Sequence, residues 1–582
     1  MPALVLGLLA AAPTVAPAAD VPAGHSVSTF AAWWARPGSP GWTPDASLSF
    51  GIPPVFAGLS AGGFELRDPL APAALPAPGV AEAQAPLAWY DSATVVVGEG
   101  AAWRGFGTAI ASATPVLAPP TSRKPRSVWT VVSGDAGLDR NGIYVSRGDE
   151  RSWVRGGAVA DQREVAGDLE RAGDHLWLVN GGARRGRHVL DGSFAQRGSA
   201  ERQRVGAADA AKGESGSFGW SWSDSIRALS ARLSRGRDAR ESFAAGDVIY
   251  PWVRREAQSN VAELAGSLRR GRGELGARIE VRQGRVSREY AGSATRDTWE
   301  EHAVWAAARV IAPVGSGRLE LELGGGRHDA PSRRRERWQM SPALVWRAGG
   351  AARSLRVFAE RVVDPVWSDL SAGVRPFVQD SWVSGAEVRA ARRNAHAGAL
   401  ALTGSTGGRA VLVRFPVRDV ALLQGWEAED ERYRFAFASA EAGVSWRVLS
   451  LEGSGYLLAR EGDRLARRVD PAVGATAAVG AAFRLFTGDL GVRLRAEASW
   501  IGERETDTRD ALFGDVTLPG YATLAARGEF TLGDATFVLR ADGLENVRHE
   551  ETWLDLASAP DLRLARDSGR TFRFEMIWPL FN

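Results

Sequence analysis

The chain has 582 residues, 71 Lys plus Arg against 68 Asp plus Glu, a net charge of +3 and no cysteine. The last point excludes disulfide frameworks, thiolate metal sites and cysteine nucleophiles, and so small a charge over such a length predicts no nucleic-acid partner. The length exceeds one ordinary soluble core, which leaves several domains or a barrel, whose wall widens strand by strand without a thicker core.

Trp is abundant, at 22 residues, as in the aromatic girdles of membrane barrels, although soluble carbohydrate binders can also be Trp-rich. Lys occurs only at Lys124 and Lys212, so the Arg excess reads as a compositional bias rather than as guanidinium chemistry. At the N-terminus, Ala3–Ala12 is an apolar run and Ala16-Pro17-Ala18 a small-x-small cleavage site. Residues 1–19 are therefore expected to be an export signal, without the usual basic leading residues. The run is too short to span a bilayer as a helix.

Residues 20–118 are rich in Pro, Ala and Gly, as in Gly51-Ile52-Pro53-Pro54 and Leu75-Pro76-Ala77-Pro78. Proline at this density breaks regular strands and helices, so a small irregular domain is expected, followed by a linker over 119–126. From Ser127 the texture changes to alternating runs. Leu275, Ala277, Ile279 and Val281 oppose Arg278, Glu280 and Arg282; Leu319, Leu321 and Leu323 oppose Arg318, Glu320 and Glu322. Val492, Leu494, Ala496 and Trp500 oppose Arg493, Arg495 and Glu497; Phe537, Leu539 and Ala541 oppose Arg540 and Asp542. Tyr433, Phe435 and Phe437 read as a further outer row.

Several runs alternate for about 9–11 residues, the length of a tilted transmembrane strand. At about 10 residues per strand and a similar average per connection, residues 127–582 predict on the order of 22 strands. Short joins stand at Arg270–Gly273 and Gly533-Asp534, and longer polar stretches at Arg327–Arg337, Gln424–Glu431 and Asp507–Val516. This is the asymmetry of short periplasmic turns and long outer loops.

The chain ends on Ser568–Asn582. Side chains alternate across a strand, so Phe572, Phe574, Met576, Trp578 and Leu580 share one face and Arg573 and Glu575 the other. Such a strand closes a transmembrane barrel; a strand of a soluble sandwich is the alternative. Phe581 stands one position out of phase with the apolar row. The expected fold is all-β, a large antiparallel transmembrane barrel behind a short N-terminal domain.

No catalytic constellation, cofactor motif or metal-ligand spacing is present. The seven His form no His-x-x-x-His pair, no G-x-S-x-G elbow occurs, and Gly324–Gly326 lack the Lys-Ser/Thr of a phosphate loop. The basic stretch Arg333–Arg337 could meet lipopolysaccharide phosphates, and Glu427–Glu431 could hold Ca²⁺, but solvated loops account for both.

Three stretches near the C-terminus carry a family resemblance. Leu518-Pro519-Gly520-Tyr521, then Thr523-Leu524, resembles the "LPGYT-x-LD" opening of the penultimate hairpin in TonB-dependent outer-membrane receptors. Asp542–Asn546 with Arg548 resembles their "NLFD-x-x-Y" loop, and Gly569–Phe574 with Trp578 their closing "PGRTF" strand. Upstream, Val95–Gly107 is similar to the end of the family's plug domain, with Gly98 and Gly105 on the two glycines of its motif; Gly98, Gly100, Trp103, Gly105 and Gly107 are the candidate positions of this plug-like motif. The Arg and Pro of that motif are replaced by Val97 and Glu99, and no TonB box is evident after the signal.

The resemblance implies a non-enzymatic outer-membrane monomer that takes up a ligand such as a siderophore, cobalamin or glycan. Its partners would be outer-membrane lipid and lipopolysaccharide, the barrel-assembly machinery and TonB. The inward Arg278, Glu280, Arg282, Arg318, Glu320, Glu322, Arg493, Arg495, Glu497, Arg540, Arg573 and Glu575 would line its lumen. A porin-like barrel uncoupled from TonB and a soluble exported β-rich binding protein are the rival expectations.

Overall fold

Alternation becomes geometry in the strand Gly273–Tyr290. Leu275, Ile279 and Val281 are each about half exposed on one face, while Arg278 and Glu280 are buried on the other. In the computed structural model this pattern repeats around a closed barrel of 22 strands. The described residues are 64–66, 86–90, 92–98, 101–104, 111–116 and, with breaks at several connections, 124–581. The expected export signal and most of the expected linker lie outside them, as do Gly100, Gly105, Gly107 and Arg333–Arg337.

Each barrel strand pairs antiparallel with its neighbours. The last strand, Thr571–Phe581, closes on the first, Arg126–Gly134. Closure removes every sheet edge, which a lipid-facing backbone requires. At the seam Trp129 stacks on Trp578 with centroids 6.5 Å apart, and Asp135 accepts the Phe572 amide at 2.7 Å. The register steps between Pro579 and Phe581. One extra residue there, a bulge, sets Phe581 opposite Ser127 and accounts for its being out of phase with Trp578.

The outward face is apolar from Leu233 and Leu264 through Leu321, Leu457 and Leu494 to Leu539 and Phe572, all exposed. An apolar belt of this extent suits a bilayer rather than water. The turns at one rim are short: Gly271-Arg272, Gly315-Ser316 and Gly533-Asp534 each join two strands. Gly271, Gly315 and Gly533 take positive φ there, the conformation glycine supplies without a Cβ penalty. The other rim carries the long connections, including 502–520 and 543–570.

Two expectations are corrected. Gln424–Glu431 is not a loop: it is the first part of the strand Gln424–Trp446, because strands here run well past membrane height and carry polar residues into their outer portion. Phe435 and Phe437 are not an outer row. Both are buried in the interior, Phe437 stacking on Tyr456 at 6.0 Å and Phe435 lying where a Cβ on Gly404 would fall. The outward positions of that strand are Ala436, Ala438 and Ala440, continuing to the exposed Val444 and Trp446. With apolar residues on both faces, alternation does not choose between them; the larger rings fill the lumen against Leu402 and Leu458. The side chain of Tyr433 lies outside the described residues.

Candidate functional site: the inner wall and the docked N-terminal segment

Two pieces of the N-terminal segment lie against the inside of the barrel. The first is the turn Leu87–Trp89. Trp89 is buried and stacks on Tyr144 at 5.3 Å. Its ring occupies the space that side chains on Gly142 and Gly157 would fill, so glycine on these strands marks a close approach.

The second is the short helix Ala101–Arg104, which the wall grips largely through its main chain. Trp305 Nε1 donates to Ala102 O at 2.9 Å, Arg278 Nη1 donates to Trp103 O at 2.7 Å, and the Trp103 amide donates to Glu322 Oε2 at 3.1 Å. These bonds satisfy helix-end groups that such a short helix cannot pair internally. The Trp103 ring is sandwiched: the Arg309 guanidinium stands 4.4 Å from its centroid, a cation–π contact, and a Cβ on Gly276 would fall 2.9 Å from the ring. A Cβ on Gly324 would meet Ala102 O at 2.3 Å. The Gly324–Gly326 run, unexplained as a phosphate loop, is therefore a bed for Trp305 and this helix. Just upstream, Gly98 adopts φ +64° with its Cα against the Phe358 ring, so that no side chain fits.

The charges beneath the helix are paired, as burial demands. Arg278 bridges Glu263 at 3.0 Å and Glu280 at 2.8 Å, and Arg282 joins Glu280 at 3.1 Å. Arg309 holds Glu274 at 2.7 Å and reaches Glu320 at 3.7 Å.

A different wall is formed by the strands Leu490–Ile501, Tyr521–Leu532, Ala535–Asp542 and Thr571–Phe581. Arg495, Arg527, Arg540 and Arg573 are directly opposed on these four consecutive strands. Their acids sit two residues away along the strands. Arg495 pairs with Glu452 and with Glu497 at 3.2 Å, Arg540 with Asp542 at 2.9 Å, Arg527 with Glu529 at 3.5 Å, and Arg573 with Asp542 at 3.4 Å. The arginine side chains here are 29–35% exposed, against 10% for Arg278.

All twelve charged residues listed from the sequence occupy inward strand positions, but they do not converge on one site. Arg278, Glu280, Arg282, Glu320 and Glu322 surround the docked helix. Arg493, Arg495, Glu497, Arg540, Arg573 and Glu575 belong to the open wall. Arg318 sits beside the Gly315-Ser316 turn at the rim. On the closing strand Phe572, Phe574, Trp578 and Leu580 face outward and Met576 is half-buried. Trp89, Trp305, Arg309, Gly276 and Arg527 were not singled out from sequence, and Gly324 was weighed only as part of a phosphate loop. The one signal available was glycine clustered inside an otherwise strand-like run.

No family model and no curated protein matches the sequence. Solved structures do. The copper transporter OprC superposes with a TM-score of 0.77 at 13% identity, over 98% of this chain and 100% of that one. P. aeruginosa FpvA bound to heterologous pyoverdines gives 0.74 at 10% identity, over 95% and 84%. The FrpB iron transporter from Neisseria meningitidis gives 0.70 at 9%, over 98% and 100%. The chain has the fold of the TonB-dependent outer-membrane receptors. At such identities the likeness concerns architecture, and it extends the resemblance drawn from the C-terminal motifs to almost the whole chain. Those motifs also acquire a physical basis. The Leu544 amide donates to Leu524 O at 3.0 Å, and Glu545 accepts the Leu524 amide at 2.8 Å, so the Asp542–Asn546 turn clips back onto the strand that begins at Tyr521.

Proposed function

We propose that the protein is an outer-membrane transporter of the TonB-dependent type, in which the N-terminal segment is a plug that must shift for a ligand to pass. The observation that carries this reading is the grip of the barrel wall on the helix Ala101–Arg104. A barrel of 22 strands is wide enough to need such filling, and main-chain hydrogen bonds with one stacked Trp are contacts that can be broken as a unit. Outer-membrane residence follows from the apolar outer belt and the family fold. The activity is passage of a solute, without covalent chemistry. The cargoes named for the similar structures, copper and ferric pyoverdine, make metal ions and metal chelates the first class to try.

The test is uptake of copper and of ferric siderophores by cells that express the chain as their sole candidate receptor, before and after collapse of the proton-motive force. Uptake lost on collapse is expected. Uptake that is equal before and after would replace this reading with a porin-like barrel.

A further inference from the structure

We propose that the rim of short turns is a collar for anionic phospholipid headgroups, held through their phosphodiester oxygens. The inference goes beyond transport and rests on the apolar outer belt lying in a bilayer. Its first ground is a repeated sequence. Arg184-Arg185-Gly186-Arg187 and Arg269-Arg270-Gly271-Arg272 occupy two of these turns, and Arg392-Arg393 a third. All of these arginines are exposed, and no acid stands among them. The whole chain has 71 Lys plus Arg against 68 Asp plus Glu, so a general excess of arginine does not account for such turns; the acids are segregated away from them.

Position is the second ground. Arg185, Arg270, Arg353 and Arg392 end outward rows: alternation sets them on the face of the exposed Val179, Leu268, Val357 and Trp382. Among the described residues the structure pairs none of these four with an acid. In the two Arg-Arg-Gly-Arg turns only Arg187 and Arg269 find one there, Asp224 at 3.7 Å and Glu274 at 2.8 Å. The opposite rim differs. Its outward Arg237 holds Glu256 at 2.9 Å and Arg254 holds Glu241 at 3.3 Å, so arginine there is balanced by acids on the neighbouring strand.

The same turns present aromatic rings. Trp446 is 64% exposed with the Arg447 guanidinium 5.2 Å from its ring, and Phe486 is 73% exposed. Phe486 and Thr487 take φ 51° and 59°, a left-handed conformation unfavourable for such side chains, and this turn holds the ring outward into its surroundings. Rings beside arginines at the edge of an apolar belt suit the headgroup zone, where the ring meets acyl chains and the guanidinium meets phosphate. The basic and aromatic turns run from the one after Arg185 to the one after Leu485, most of the circumference. A lipid leaflet follows a whole rim, whereas a protein partner covers one patch of it.

The test places the full chain in phosphatidylcholine vesicles. It reads the motionally restricted fraction of trace spin-labelled phosphatidylglycerol against that of spin-labelled phosphatidylcholine, with assembly of every variant checked by heat-modifiable migration. The wild type should restrict phosphatidylglycerol several-fold more, since one arginine beside an anionic lipid surface is worth about fivefold. Salt at about 1 M should bring the two lipids close to equality, because exposed charges are then screened beyond about 3 Å. The quadruple variant Arg185→Gln/Arg270→Gln/Arg353→Gln/Arg392→Gln should do the same. The matching Lys replacements should keep part of the preference, and Arg237→Gln/Arg254→Gln at the opposite rim should keep all of it. Equal restriction of both lipids by the wild type overturns the proposal and leaves the turns to an acidic protein partner. A preference untouched by the four Gln replacements, or lost in the opposite-rim pair, overturns it as well. No uptake is measured, so failure of the energised-transport reading and failure of this one are told apart.

Discussion

Two stretches of the same inner wall, built by the same alternation, have opposite fates. Under the helix Ala101–Arg104, arginines are buried, bonded to acids and committed to main-chain carbonyls. Across the lumen, in the row from Arg495 to Arg573, they are also paired with acids but stay 29–35% exposed, against 10% for Arg278. The difference does not lie in the arginines. It lies in what docks beside them: Gly276, Gly324 and Trp305 bed a helix in the first wall, whereas Gly480 opposite Arg495 and Gly134 opposite Arg573 in the second have strand atoms beside them. Glycine beside an inward charge is thus not sufficient; what decides is whether another segment docks there.

The comparison can be broken most forcefully at Trp305. Trp305→Ala removes the bond to Ala102 and the largest fully buried side chain of the wall. It should destabilise the docked state by about 3–5 kcal/mol, read as protease cleavage of the N-terminal segment in a barrel that remains folded. Next in size is a test of facing. Leu494→Arg sets a charge on the lipid side at a cost of about 2–4 kcal/mol, while Arg495→Leu on the lumen side should assemble; heat-modifiable migration reads both, and equal assembly would invert the register. Smaller is the contrast between two glycines. Gly324→Leu collides with Ala102 O and should cost about 1–3 kcal/mol of docking, opening measurable conductance in planar bilayers. Gly491→Leu on the open wall, whose nearest neighbour would be 3.5 Å away, should leave conductance unchanged.

The smallest effect belongs to neither wall. In the rim turn after Ser223, Asp224 accepts the amides of Ile226 at 2.8 Å and Arg227 at 2.6 Å, which holds its carboxyl below the ordinary value of 3.8. A lowered folded-state pKa gives stability that is present above the unfolded value and lost as pH falls through the folded one. The stability difference between wild type and Asp224→Asn should therefore be constant near neutrality and shrink only below pH 3.8.

These contrasts also show what was legible in the sequence. Outward and inward faces could be read where Leu and Arg alternate, as from Leu275 to Arg282, since only one assignment puts the charges away from lipid. They could not be read at Phe435 and Phe437, where the alternate residues are Ala and either face could meet lipid. The strand count followed from length, because a closed barrel leaves few other uses for so many short alternating runs. The docking site stayed hidden because a four-residue helix has no amphipathic period and its partners come from strands about 200 positions away. Arg527 was missed for a related reason: its strand carries only Arg527 and Glu529 as charges, and only cross-strand register shows that Arg527 continues a row.

The absence of native cysteine allows the central contrast to be measured directly. Single variants Arg278→Cys and Arg540→Cys, each assembled in the full chain, would be exposed to a charged, membrane-impermeant thiol reagent and their labelling rates compared. An inner wall covered at one sector and open at the other predicts prompt labelling at position 540 and little at 278, with 278 becoming reactive when Trp305→Ala is added. Equal rates at the two positions in the otherwise wild-type chain would contradict it.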